Sequence, residues 1–408
     1  MPSLNQSGFI ERSIRSVLSQ AGVDLELIVV DGGSTDGTQR LLTRLAREAQ
    51  GRLRWVSEAD GGPAQAVNKA IGLSSHDMIG WLNADDVYTP GALERAARAL
   101  QTNPRWLMVY GHANHIDECD QVIGAYPTLM PSAGMEKFAD GCFICQPTVL
   151  FRKAMVHVLG LLDEGLRAAF DFEWWLRLFK AHPQRVGFVD AAQAASRLHG
   201  GCITRGQRET VIREGMRVLA RHLGTSPLHW FKTYVDELLG DYPHGRQIAN
   251  VRSHLRRFSN DISGHLAPGE QRELKKFMGE DRRLQLAVPD AYLEVYPDGW
   301  LPVRATLRVR CHRRLWRRVE LRGRHVSKGA GPLQLEIRSP DGKVEIRQVE
   351  RPGPFRLEFH LPKPAARPAY WVFTIDASGG FIPSAQDTTS NDSRELACRI
   401  ERLRLRAS

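Results

Sequence analysis

At 408 residues the chain is too long for one ordinary core and implies two or three domains. Its 42% apolar and 25% charged residues exclude a disordered or low-complexity protein. No uncharged apolar run reaches about 18 residues, which excludes a transmembrane helix, and the N-terminus lacks the basic, apolar, small-residue order of a secretory signal. The net charge of +10 is uneven: acids outnumber bases in residues 1–204, and the basic excess lies beyond. A basic surface of that kind suits anionic lipid, acidic polysaccharide or nucleic acid, or is simply a solvated arginine-rich face. Six scattered cysteines suit a reducing compartment, so a cytoplasmic place is expected.

Residues 8–20 carry Ile10, Ile14, Val17 and Leu18 at helical spacing. Leu25–Val30 is a nearly continuous apolar run, as in a strand buried on both faces. A helix over about 37–50, a strand near Leu53–Ser57, a helix near 63–73 and a strand at Met78–Leu82 follow. This alternation predicts an α/β domain with a largely parallel sheet, binding its ligand beyond the carboxyl ends of the strands. From 205 to 278 the 3.6-residue period predicts helices. Beyond about 283, short alternating strands separated by Pro-Asp-Gly turns predict a β-sandwich.

Two motifs fall at strand ends. Asp31-Gly32-Gly33-Ser34-Thr35-Asp36-Gly37 closes one strand; its glycines let backbone N–H groups approach a ligand, although a plain strand-to-helix turn reads the same way. Trp81-Leu82-Asn83-Ala84-Asp85-Asp86 ends another in adjacent carboxylates. Such a pair is costly unless a cation or hydrogen-bond donors neutralise it. Mg²⁺ or Mn²⁺ would accept carboxylate oxygens and leave positions open for phosphate. A helix-capping acid pair is the structural alternative. Cys142-Phe143-Ile144-Cys145 has no second pair and reads as two buried thiols rather than a zinc site.

The three segments LIVVDGGSTDGT, Glu58 to Ala70 (EADGGPAQAVNKA) and WLNADD, in this order and spacing, resemble family 2 glycosyltransferases of the GT-A fold. The likeness runs over residues 1–204 and is greatest to members of capsule, exopolysaccharide and lipopolysaccharide pathways. It implies a Rossmann-like GT-A domain at 1–204, a helical segment at 205–278 and an accessory β-sandwich at 279–408. It also implies a nucleotide-sugar pocket at Pro2, Asn5, Asp31, Gly33, Ser34, Asp60, Asn68, Lys69, Asn83 and Asp85. Asp86 would then bind the metal, with His199 of Arg197-Leu198-His199-Gly200-Gly201 approaching the metal or diphosphate. Asp171, at the start of a helix, would be the base that deprotonates the acceptor. Gln146-Pro147-Thr148 resembles a strand beside the acceptor cleft.

The chain departs from the family at three places. Gly32 stands where many relatives carry a second acid that reads the base, Phe170 replaces an acid before the base, and the apolar strand expected before Pro2 is missing. The last implies either a start placed several residues too late or a truncated product, and a weakened fold if the strand is truly missing. The resemblance implies an inverting, non-processive transferase using a divalent metal, Mn²⁺ or Mg²⁺. It would move sugar from a nucleoside-diphosphate donor to a lipid-linked or other glycan acceptor, with no nucleic acid involved. Peripheral contact with an anionic membrane is expected of the basic run His312–Arg318. A nucleotidyltransferase would need a Gly-rich, basic loop after the first strand, which is absent. The remaining alternative is a non-catalytic glycan-binding protein acting through its sandwich.

Overall fold

The computed structural model describes residues 1–241, 251–311, 316–326, 332–362, 370–386 and 389–407. The chain divides into two compact units, Met1–Pro227 and Leu228–Ser408, so the helical segment at 205–278 is shared between them.

The first unit runs β1 (Pro2–Ser3), α1 (Ile10–Leu18), β2 (Leu27–Asp31), α2 (Thr38–Glu48), β3 (Leu53–Ser57), α3 (Pro63–Leu73), β4 (Met78–Gly80) and β5 (Val87–Tyr88). It continues with α4 (Ala92–Thr102), β6 (Met108–Ile116), β7 (Val122–Ala125), β8 (Leu150–Arg152), α5 (Ala154–Leu159), α6 (Phe170–Ala181), β9 (Val186–Arg197), α7 (Ile203–Gly206) and α8 (Arg208–Leu223). Strand β2 shows why the order folds as it does. All five of its residues are buried. Leu27 and Val29 pack on Ile10, Ile14 and Val17 of α1 and on Leu42 and Leu45 of α2. Ile28 and Val30 face Ala66 of α3 on the other side. Alternate side chains of one strand thus hold helices on both faces, which is the α/β architecture expected.

The parallel expectation holds for β1, β2 and β3. The later strands form a second, mixed sheet in the order β4-β8-β6-β9-β5, with β7 on β6. In it only β6 and β9 run parallel, because β8 and β5 enter it from the opposite direction. Strand β1 pairs with β2 over two residues, and beside it a cavity of about 610 Å³ is lined by Leu27 and Ile28 of β2 and by Met78, Ile79 and Gly80 of β4. Gln146–Thr148 is not a strand. Pro147 brings no N–H to a ladder, and the segment closes as a 3₁₀ turn ahead of β8.

The second unit begins with α9 (His229–Asp241), α10 (Val251–Ser263), α11 (Pro268–Glu280) and α12 (Arg282–Leu286). Phe231 and Tyr234 are buried against Phe258 in edge-on ring contacts, so this aromatic cluster is helix packing. Then come β10 (Ala291–Leu293), β11 (Trp300–Pro302), β12 (Arg304–Arg310), β13 (Arg318–His325), β14 (Leu333–Arg338), β15 (Val344–Val349), β16 (Gly353–His360), β17 (Tyr370–Ser378) and β18 (Leu396–Arg406). They make two antiparallel sheets, β10-β12-β17-β14-β15 and β11-β18-β13-β16. Leu307, Phe373 and Leu335 of one meet Leu321, Phe359 and Ile400 of the other in a single core, the sandwich expected. Residues 312–315 of the basic run lie outside the described residues. Among the described residues, no helix is long and apolar enough to cross a membrane.

Candidate active site

The strand ends of the first unit build three adjoining pieces. The first is the loop after β2. Asp31 is fully buried and accepts from Ser34 N at 2.9 Å, from Ser34 Oγ and from Ser57 Oγ at 2.6 Å. Its carboxylate is spent on shaping the loop. Asn5 adopts a left-handed φ of 52°, which a short polar side chain tolerates. It donates its N–H to Ser34 Oγ at 2.7 Å and accepts from Thr35 N through Oδ1 at 2.9 Å. The segment after β1 is thereby stitched to the glycine loop. Gly33, at φ 84°, needs its freedom to turn there. Asp60 accepts from Gly62 N at 2.9 Å, and its carboxylate lies 3.1 Å from where a Cβ on Gly32 would stand. The absent side chain at position 32 is what admits Asp60 to this loop.

Asn68 and Lys69 turn elsewhere. Asn68 both donates to Leu162 O and accepts from Leu162 N, at 3.0 Å each, and donates to Glu164. Lys69 pairs with Glu58. They clamp the 162–164 loop and α3 rather than offering free groups to a ligand.

The second piece is the carboxylate pair. Asp86 is buried at 3% exposure; Oδ1 accepts from Arg197 N at 2.8 Å and Oδ2 from Asn83 Nδ2 at 3.3 Å. Burial, and next the neighbouring charge of Asp85, push its carboxyl well above the usual range. Asn83 also donates to Gln146 Oε1 at 2.8 Å, and Gln146 donates to Trp81 O at 2.6 Å. Asp85 faces the other way, with Oδ2 lying 3.1 Å from His199 Nε2. The imidazole sits against Phe9, ring centres 4.6 Å apart.

Arg197, the last residue of β9, ties the piece together. It is 2% exposed, donates from Nε to Asp85 O at 2.8 Å and from Nη1 to Asp117 O at 2.6 Å, and pairs with Asp120. Arg197 opens the motif expected to approach the metal or diphosphate through His199, and its own guanidinium is a buried brace. From α1, Ser13 Oγ donates to Ala84 O at 2.9 Å and fixes the other side of the turn.

The third piece is Asp171, in the first turn of α6. That helix is anchored by Trp174 and Trp175, both fully buried, with Trp174 edge-on to Phe151. Burial pushes the Asp171 carboxyl up to about 6, against the pull of the Phe172 N–H at 2.7 Å. Its charge reaches Tyr126 and both thiols of the CxxC segment. Burial, and then Asp171, push Cys142 up to about 12, which keeps it a neutral thiol. All six cysteines are free, and the two thiols of the CxxC behave as buried groups. Trp81, at the start of the acid-pair segment, stacks on Phe170 beside Asp171 with ring centres 5.7 Å apart, so the second and third pieces are neighbours.

One residue of this piece had no signal in the sequence. Helix α6 has Ala169 as its N-cap and no side-chain cap of its own. Glu214 of α8 supplies the cap from 45 residues away, accepting from the N–H groups of Arg167, Ala168 and Ala169 at 2.9–3.1 Å. A glutamate inside a helical run reads as an ordinary solvated charge.

A divalent cation is implied by the family, and the donor set can be tested for it. Among the described residues no group of three or more His, Cys, Asp and Glu side chains is gathered as a metal cluster. Asp86 has both oxygens engaged. Asp85 Oδ2 and His199 Nε2 share a hydrogen bond while His199 Nδ1 accepts from Gly201 N at 3.3 Å, so an ion drawing its other ligands from diphosphate oxygens and water would fit this pair by displacing the proton they share.

Residues 1–160, within the first unit, match the profile of Glycosyl transferase family 2. An uncharacterized glycosyltransferase of Nostoc sp. is 32% identical over 116 residues, which cover 28% of this chain and 35% of that protein. Chondroitin synthase of Escherichia coli is 29% identical over 184 residues, covering 45% of this chain and 26% of the other. The chain thus spans about a third or less of the length of these relatives. Among solved structures, Staphylococcus aureus TarS 1–349 in complex with UDP-GlcNAc superimposes with a TM-score of 0.47 at 14% identity, over 76% of this chain and 95% of that one. Likeness at that level carries no functional weight.

Proposed function

We propose that the protein transfers a sugar from a nucleoside-diphosphate donor to a glycan hydroxyl with inversion, in a single non-processive step of surface polysaccharide synthesis. The observation that supports this most is the presence of two carboxylates in distinct settings at adjoining strand and helix ends. Asp85 is held beside His199 at a strand end, and Asp171 stands at a helix start with its carboxyl raised to about 6.

In this reading Asp171 takes the proton of the acceptor hydroxyl as it attacks the anomeric carbon. A carboxyl near 6 is ionised at neutral pH yet more basic than an exposed aspartate, which suits a general base. Asn5, Gly33, Ser34 and Asp60 form the nucleotide end of the pocket. Asp85 and His199 hold the divalent cation, which when bound neutralises the departing diphosphate. The sequence assigned that ligation to Asp86. The engaged oxygens of Asp86 favour a different role, that of orienting Asn83 and the Arg197 backbone so that Asp85 is presented. Glu214 is a positioning residue for Asp171, fixing the turn from which α6 starts.

The test is calorimetric titration of UDP, GDP, dTDP and CMP, with and without Mn²⁺, into wild type, Asp85→Ala and Asp86→Ala. Metal-dependent binding of one nucleotide, lost in Asp85→Ala, supports the assignment. Binding unaffected by Asp85→Ala but abolished in a folded Asp86→Ala would return the metal to Asp86.

A further inference from the structure

The outer face of the four-stranded sheet in the second unit is covered with arginine. Register sets Arg322 of β13 between Arg356 of β16 and Arg402 of β18, Arg318 beside Arg406, and Arg324 beside Arg399. Their alternate neighbours Val319, Leu321, Ile400 and Leu403 fill the core, so the guanidinium groups face outward. Like charges directly opposite one another destabilise a sheet. Only one buried acid answers them centrally: Glu320, its side chain fully covered, pairs with Arg322, Arg356 and Arg406. Glu358 pairs closely with Arg356 and lies 3.7 Å from Arg318, and Glu401 lies 3.7 Å from Arg324. Arg399, Arg402 and Arg404 form no ion pair within about 4 Å among the described residues, although Arg404 stands opposite Glu320 in the register. Partial desolvation, then the charges of Arg402 and Arg406, hold Arg404 below the usual arginine range.

We infer that this face is a binding track for an acidic polysaccharide, read through its repeating carboxylate or phosphate groups. Four features support that partner. The three strands β13, β16 and β18 contain no lysine, and the planar guanidinium fork is the group that pairs bidentately with carboxylate or phosphate. The arginines without an ion pair lie along one strand, which advances roughly 15–17 Å from Arg399 to Arg404 at the usual rise per residue. That is a line, the shape of a polymer chain. Glu320 holds the central guanidinium groups in fixed rows, an order that a repeating ligand can use and a fluid lipid surface cannot. At the end of the line Trp300 of β11 stands in register with Arg399 and is partly exposed, offering an aromatic face to the apolar side of a pyranose ring. The inference stands apart from the transferase reading, because binding here is measured with no sugar donor.

The experiment uses the full chain, wild type and the double variant Arg402→Gln/Arg404→Gln. The probes are polygalacturonate, poly(glycerol phosphate), neutral dextran, phosphatidylglycerol vesicles and a single-stranded oligonucleotide. The expected result is binding of one or both acidic polymers, weakening with added salt, and no binding of dextran. The variant should bind about tenfold more weakly or worse, because charge-assisted hydrogen bonds are lost. Its melting temperature should stay close to that of wild type, because the change removes one like-charge pair, Arg402 opposite Arg322, and one opposite-charge pair, Arg404 opposite Glu320. The relative affinities for the two polymers identify carboxylate or phosphate as the group recognised. Equal binding by the variant would overturn the inference. So would preference for vesicles or oligonucleotide over both polymers, or equal binding of dextran.

Discussion

The carboxylates of the first unit and the arginines of the second are organised in opposite ways. Asp31 and Asp86 are buried, and every oxygen that shapes a loop has a donor. The arginines of the outer sheet face are exposed, face one another and are under-compensated. In the first case charge is satisfied internally so that a few groups, Asp85, His199 and Asp171, are presented in fixed geometry. In the second, charge is left for something outside the chain to satisfy. Internal satisfaction marks a brace, and its absence on an ordered face marks a surface that meets a partner.

The sharpest break of this comparison is at Asp171. Replacing it by Asn should lower turnover by about 100- to 10,000-fold, the usual worth of a positioned base, while nucleotide binding persists. For wild type, the acid limb of the rate profile should fall near pH 6, where the raised carboxyl titrates. The stability sign runs the other way. A carboxyl whose folded pKa is raised is best tolerated when protonated, so its ionisation weakens the fold as pH rises from about 4 through 6. Asp171→Asn should therefore melt no lower than wild type at pH 7.5, checked by calorimetry.

Next in size is the contrast within the adjacent pair. Asp86→Ala strips a buried acceptor from Arg197 N and should cost about 1–3 kcal/mol in denaturant unfolding. Asp85→Ala should leave stability nearly unchanged and remove metal-dependent nucleotide binding. Equal destabilisation by both would erase the distinction between brace and ligand.

Glu214→Gln is the smaller perturbation, since one amide oxygen can keep part of the cap. It should lower kcat several-fold with the donor KM unchanged, and Glu214→Asp should not restore it because the shorter side chain cannot span the same three N–H groups. A parallel fall of kcat and rise of KM would make Glu214 merely structural. The smallest effect is expected at Arg402→Gln, a slight rise in melting temperature because Arg402 stands directly opposite Arg322.

Local chemistry explains what the sequence disclosed. The buried run at β2, the glycine loop after it and the paired acids after β4 are each contiguous, so residue order alone exposes them. The sandwich strands with clean alternation were equally legible. Strand β13 was not: its run Arg318–His325 joins a basic stretch and contains Gly323, which hides the period of two. Roles set by long-range pairing were hidden as well. Nothing near Glu214 announces a cap for a helix 45 residues earlier, and nothing in Asp85-Asp86 says which one turns to His199 and which to the backbone of Arg197. The resemblance implies a strand at Gln146–Thr148, yet Pro147 fixes a turn that aims Gln146 at Asn83.

The most direct test of the central claim follows release of nucleoside diphosphate from the best-binding sugar donor, against a panel of oligosaccharide acceptors, in wild type and Asp171→Asn. The account predicts acceptor-dependent release by wild type, and a variant that binds donor and metal normally yet releases almost nothing. Release by Asp171→Asn at the wild-type rate would contradict it, and would move the base to another residue of the first unit.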